Sequence, residues 1–429
     1  MENKARVISQ LTRVCLMLFC IASVVAHAEA ETIKSQVSKA LVENRDLQAA
    51  RINLQKAEAR LRQAGLFPNP ELQLFRSSDR AFNNEGEFQA SAGFVQKFPV
   101  SGRISKAQNV ARVDVALALA EIRDQERLLV NEVSGTARKL LILDESIKVN
   151  EQLQKSIKEL IQVSEKRLRV AEVSVADINL EKLELQKLLF NHVSLTSERS
   201  QTNELLNRLV GQSAGIANKI VEPITIAPDL STKALAKLTA VERRPDRQFA
   251  ALSINKAASE VILAKAERWE DWAIGIEYSQ ELSKFDSSLI STGRDDFIGL
   301  SVSIPLPFWN RNEGNISEAE ASRSQAIKAL EALELKIQTE SEAAYVQLVQ
   351  LSTGLTNFQS KSQKLAQENV RLLRESYAQG LVGISAVIQA QQQLAETQQT
   401  FLSLVGDYYS ALTAFETITA SSPFWENSL

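Results

Sequence analysis

Two stretches decide how this chain reads: DLQAARINLQKA at residues 46–57 and DRQFAALSINKA at residues 246–257. Asp46, Gln48, Ala50, Leu54, Lys56 and Ala57 recur 200 positions later as Asp246, Gln248, Ala250, Ile254, Lys256 and Ala257. The match runs on with shifted offsets. Phe98 and Pro99 correspond to Ile304 and Pro305, and Gly102 and Ile104 to Gly314 and Ile316. An internal duplication of this length means that one structural unit is built twice.

Each copy carries a long stretch without proline, 100–222 and 308–422, rich in Ala, Leu, Glu, Gln, Lys and Arg. These residues lose little rotamer freedom in a helix, so both stretches are predicted to be mainly helical. From Lys106 to Arg169 an unbroken helix would extend about 95 Å, more than a compact globular domain needs. Leu348, Leu351, Leu355, Phe358, Ser362, Leu365, Asn369, Leu372 and Ser376 follow alternating steps of three and four, a coiled-coil seam. Ile147, Leu153, Ile157, Ile161 and Leu168 make a looser one. Such seams specify helix packing and carry no chemistry.

Each stretch breaks once, at 169–174 and at 379–385, and both breaks read as helix-to-helix turns. Gly380 and Gly383 permit positive φ, Ser174 and Ser385 can cap the next helix, and Asp177 suits its first turn.

Between the helical segments lie alternating runs: 71–75 with 88–95, then 273–278 with 297–304, predicted as two β-hairpins with polar loops at 76–87 and 282–296. Each strand approaches the length a tilted strand needs to cross a bilayer, with aromatic residues near its ends. Four strands cannot close a barrel, and lipid does not tolerate open edges, so a barrel must be shared between chains. Three copies of four strands make twelve, an even number within the range of such barrels.

The N-terminus has Lys4, Arg6 and Arg13, an apolar run from Val14 to Val25, then Ala26, His27 and Ala28, and reads as a cleaved signal at 1–28. The apolar run is too short for a membrane anchor. Cys15 and Cys20 would leave with it, and bulky Phe19 before Cys20 argues against lipidation; Met1, Met17 and His27 would leave too. His192 would then be the only soft or borderline metal ligand, and it reads as a packed or surface histidine. With 49 basic and 52 acidic residues the chain has no cationic footprint for nucleic acid. No nucleophile turn, phosphate-cradling loop or metal-ligand cluster marks an enzyme, and no cofactor is implied.

Signal, helix, β-hairpin and long helical hairpin, repeated at 29–220 and 221–429, resemble the TolC-like outer-membrane efflux proteins. Ala64 to Glu71 before the first strand and Pro305 to Ile316 after the fourth are similar to the CzcC-type branch, which serves heavy-metal efflux. The resemblance implies a homotrimer with a strand barrel in outer-membrane lipid and a helical tunnel across the periplasm. It also implies a periplasmic adaptor and an inner-membrane resistance-nodulation-division pump. Arg167, Ala171, Glu172, Val173 and Ser174, with Gly380, Leu381, Val382 and Gly383, match the turns that contact the adaptor. Asp177 and Glu181 fall where relatives line the pore with acids, whereas the second repeat holds Ala386 and Gln389 there. A drug, solute or type I secretion channel, and a soluble periplasmic coiled-coil adaptor, are the alternative readings.

Overall fold

The computed structural model describes residues 30–82, 86–170, 173–224, 230–283 and 293–426. The proposed signal, residues 1–28, lies outside them. Their order is β1 (Ala30–Glu31), α1 (Ile33–Glu43), α2 (Arg45–Ala64), β2 (Glu71–Ser78), β3 (Phe88–Phe98), α3 (Arg103–Leu168) and α4 (Val175–Val210). Then come β4 (Lys219–Ile220), α5 (Leu230–Leu238), α6 (Ala240–Arg243), α7 (Pro245–Glu267), β5 (Trp272–Ser283), β6 (Gly293–Ser303) and α8 (Glu313–Phe358). A π-helical segment (Gln359–Gln363), α9 (Lys364–Ala378), α10 (Ile384–Thr419) and α11 (Pro423–Glu426) complete the order. The predicted long helix is real: α3 runs 66 residues without a break.

The chain forms two compact units. One comprises the described residues of Ala49–Asp124 and Pro245–Leu335 and holds the four-stranded antiparallel sheet, in the order β2-β3-β5-β6. The two hairpins join where β3 pairs β5, with Phe98 opposite Trp272. The register separates two faces. Leu72, Leu74, Phe94, Ile274, Ile276, Tyr278, Ile298, Leu300 and Val302 share one face, and all are exposed. Gln73, Gly93, Glu277, Gly299, Ser279, Glu281 and Asp295 share the other. A sheet with an exposed apolar face suits lipid on that side and water on the other.

The strands outrun their apolar stretches. β2 continues to Ser78, β5 to Ser283, and β6 begins at Gly293. The predicted loops 76–87 and 282–296 are therefore shorter, because ladder hydrogen bonds continue through polar residues once the register is set. The first loop contains a 3-10 turn at Asp79–Phe82, and residues 284–292 lie outside the described ones.

At the end of the sheet, Arg103 grips Asp271 with Nε to Oδ1 at 2.7 Å and Nη2 to Oδ2 at 2.5 Å, joining the start of α3 to the start of β5. The strand-to-helix turn of the second copy is built by Asn312. Its φ is 58°, its Nδ2 donates to the Ala264 carbonyl at 2.8 Å, and its Oδ1 accepts from Asn315 at 2.6 Å. Asparagine tolerates the left-handed conformation better than other non-glycine residues.

The other unit comprises the described residues of Met1–Gln48, Gln125–Arg244 and Lys336–Leu429. One of its cores gathers Leu348, Leu355, Val405, Tyr408, Leu412 and Phe415. Beside it, buried Glu416 accepts from Arg138 at 3.0 Å and from Lys233 of α5 at 3.1 Å. Burial, with Tyr409 and Glu416 adding to it, pushes the Tyr408 hydroxyl up to about 12. Asparagines form a second polar core: Asn218 Nδ2 donates to Asn207 at 2.7 Å and to Asn203 at 3.1 Å.

The seam predicted from Leu348 to Ser376 holds only in its first half. Leu348 and Leu355 are fully buried, but Leu365 is 70% and Leu372 48% exposed. The segment Gln359–Gln363 is π-helical and inserts one extra residue into the turn. The buried positions move on by one, to Val370 and Tyr377, with Leu373 packed beside them.

Candidate functional site at the hairpin tips

The α3–α4 hairpin and the α9–α10 hairpin each end in a turn, and the turns are built differently. Ser174 caps α4: its Oγ accepts from the Asp177 backbone N–H at 3.2 Å. Asp177 Oδ2 accepts from the Ser174 N–H at 3.1 Å and from its hydroxyl at 2.7 Å, completing a capping box. In the second hairpin Gly380 takes φ 75°, whereas Gly383 is extended at φ −76° and is itself the N-cap of α10. Ser385, expected as that cap, sits inside the helix instead, and no side chain caps it. The second turn is one residue shorter, which moves the cap from serine to glycine.

Behind the tips, Leu160, Tyr377, Ile384, Val387 and Ile388 pack into one cluster with Val173 and Val382 against it. Arg167 lies 4.1 Å from the centre of the Tyr377 ring, a cation–π contact between the two hairpins. Arg374 reaches the Ser156 hydroxyl, and Gln392 Nε2 donates to Glu184 at 2.9 Å. Sequence reasoning did not single out Tyr377, Arg374 or Gln392. Tyr377 is a phase-shifted seam position, which an unbroken periodicity assigned to Ser376.

Outward, the tips present Val170, Val175 and Leu381, which are 66%, 60% and 72% exposed. Val173, Val382 and Gly383 lie beside them, while Ala171 and Glu172 fall outside the described residues. Asp177 is held by its own cap. Glu181 is fully buried, turned towards α3, and its Oε1 accepts from Ser164 Oγ at 2.6 Å. The two acids therefore do not form a common exposed surface. His192 stands 3.4 Å from Glu151. Among the described residues no three His, Cys, Asp or Glu side chains gather as a metal site.

The family model for outer membrane efflux proteins matches residues 36–212 and 239–421. The chain belongs to the outer membrane efflux protein family. The chain is 23% identical over 387 residues to the cation efflux system protein CusC of Escherichia coli K12, covering 87% of this chain and 82% of CusC. It is 21% identical over 399 residues to the cobalt-zinc-cadmium resistance protein CzcC of Cupriavidus metallidurans, covering 90% and 89%. A crystal structure of CusC superposes with a TM-score of 0.74 at 19% identity, over 91% of this chain and 92% of that one.

As an outer membrane efflux protein, the chain is a channel component of the outer membrane. The paired helical hairpins are its periplasmic element. Membership also separates it from soluble periplasmic adaptors.

Proposed function

We propose that three copies of this chain close one barrel and one helical tunnel, and that the assembly exports heavy-metal cations passively as the outer part of a tripartite system. The observation that carries the assembly is the open sheet: β2 and β6 are its edges, both exposed along their whole length, on an element that must sit in lipid. Lipid leaves no water to satisfy an edge, so the edges must meet those of other copies. Two full repeats, 29–220 and 221–429, then supply two hairpins and two helical hairpins per copy.

The metal cargo is supported by the relatives, whose names assign cation and cobalt-zinc-cadmium efflux to them. Energy would come from an inner-membrane resistance-nodulation-division pump through a periplasmic adaptor. The exposed apolar tip residues, with Arg167 bracing them from behind, are the surface that the adaptor would grip. Asp177, beside the cap and half exposed, would lie nearest the tunnel entrance.

Deletion of the gene tests the cargo. Tolerance to at least one of cobalt, zinc, cadmium, nickel, copper or silver should fall. Unchanged tolerance to all six, with tolerance to organic toxicants reduced, would reassign the channel to solutes.

A further inference from the structure

Glu181 is a carboxyl buried inside the first helical hairpin, just above its tip. It is fully buried, with Oε1 held by Ser164 of the facing helix at 2.6 Å and Oε2 buried without a hydrogen-bond partner. A buried carboxylate with an unsatisfied oxygen carries a desolvation penalty that the neutral acid largely avoids.

The surroundings do not offset that penalty. Asp177, on the same helix, is of like charge, and Glu165 on α3 adds to it; Lys182 opposes them but stands 3.4 Å from Glu165. Ser385, Ile388, Gln389 and Gln392 of α10 face the neighbouring Leu180, Leu183, Glu184 and Lys187 of α4. From α9, Arg374 is engaged with Ser156 and Tyr377 with Arg167. Burial, ahead of all other influences, raises the Glu181 carboxyl above its ordinary value.

The duplication supplies an internal comparison. At the same distance from the N-cap of α10, the second hairpin carries Ala390, also buried. A hairpin of this type closes without an acid there, so the acid is not a requirement of the fold.

We propose that Glu181 is a proton-operated latch: with its carboxyl protonated, α3 and α4 stay closed above the tip, and with it ionised they part there. The folded hairpin binds the proton more tightly than the open one. Closure is therefore fully favoured below the ordinary carboxylate value and weakens as pH rises through the raised value.

Hydrogen exchange of the full chain in detergent, read as protection factors for the amides of 160–168 and 178–184, tests the latch. Between about pH 4, at the ordinary carboxylate value, and pH 8 the wild-type protection should fall, while Glu181→Gln, neutral at every pH, should show no such fall. Ser164→Ala keeps the carboxyl but removes the donor that favours its ionised form, so the transition should move to higher pH. The proposal is overturned if the wild type is flat across this range, if Glu181→Gln keeps the fall, or, should that variant not fold, if Ser164→Ala leaves the midpoint in place.

Discussion

The Arg138 guanidinium meets the Glu416 carboxylate at 3.0 Å with both side chains more than nine-tenths buried, and Lys233 completes the cluster from α5. Arg138 also donates to Thr413 Oγ1 at 2.8 Å. Removing the carboxylate takes the shared counter-charge from buried Arg138 and part-buried Lys233. Glu416→Ala should therefore lower stability by about 3–5 kcal/mol. Denaturant unfolding of the purified chain reads this, and a loss below about 1 kcal/mol would show that water reaches the cluster.

Gly211 ends α4 with φ 85°, and a Cβ at that position would run into the backbone carbonyl of Glu43. Both the conformation and the space demand glycine. Gly211→Ala should cost more than about 1 kcal/mol, whereas Gly215→Ala, at φ 84° but with nothing nearby, should cost less. Thermal midpoints of the two variants give the comparison.

Asn312 combines a positive φ with a side-chain hydrogen bond to Ala264. Asn312→Gly should retain the turn and lose only the hydrogen bond, on the order of 1 kcal/mol. Asn312→Val, which is β-branched and strained at this φ, should reduce the amount of correctly assembled protein recovered from the outer membrane. Equal recovery of both variants would mean that the turn does not depend on this conformation.

Asp271 is held below the usual carboxylate range, chiefly by its hydrogen bonds to Arg103. A depressed carboxyl adds stability that is present above its unfolded value and is lost as pH falls through the folded one. The difference in thermal midpoint between wild type and Arg103→Gln should accordingly be largest near neutrality and shrink as the pH drops below about 4. A constant difference would place the effect in packing instead.

The duplication, the two β-hairpins and the long helices were legible because each rests on a period or a repeated residue. What was not legible depended on single residues that change phase or geometry. One extra residue in the π-helical Gln359–Gln363 moved Tyr377 into the core, and nothing in its composition marks that segment. Asp177 and Glu181 look alike in the sequence, one helical turn apart. Asp177 is held by the capping box, while Glu181 turns inward because its partner, Ser164, is small and faces it across the hairpin. The buried asparagines were invisible for the same reason: their partners are backbone and side-chain groups set by tertiary packing.

Conductance of the purified chain in planar lipid bilayers tests the central claim most directly. Discrete, uniform steps that appear only with the trimeric fraction are expected of a barrel shared by three copies. A folded protein, extracted from the outer membrane, that gives no steps in any oligomeric fraction would contradict it.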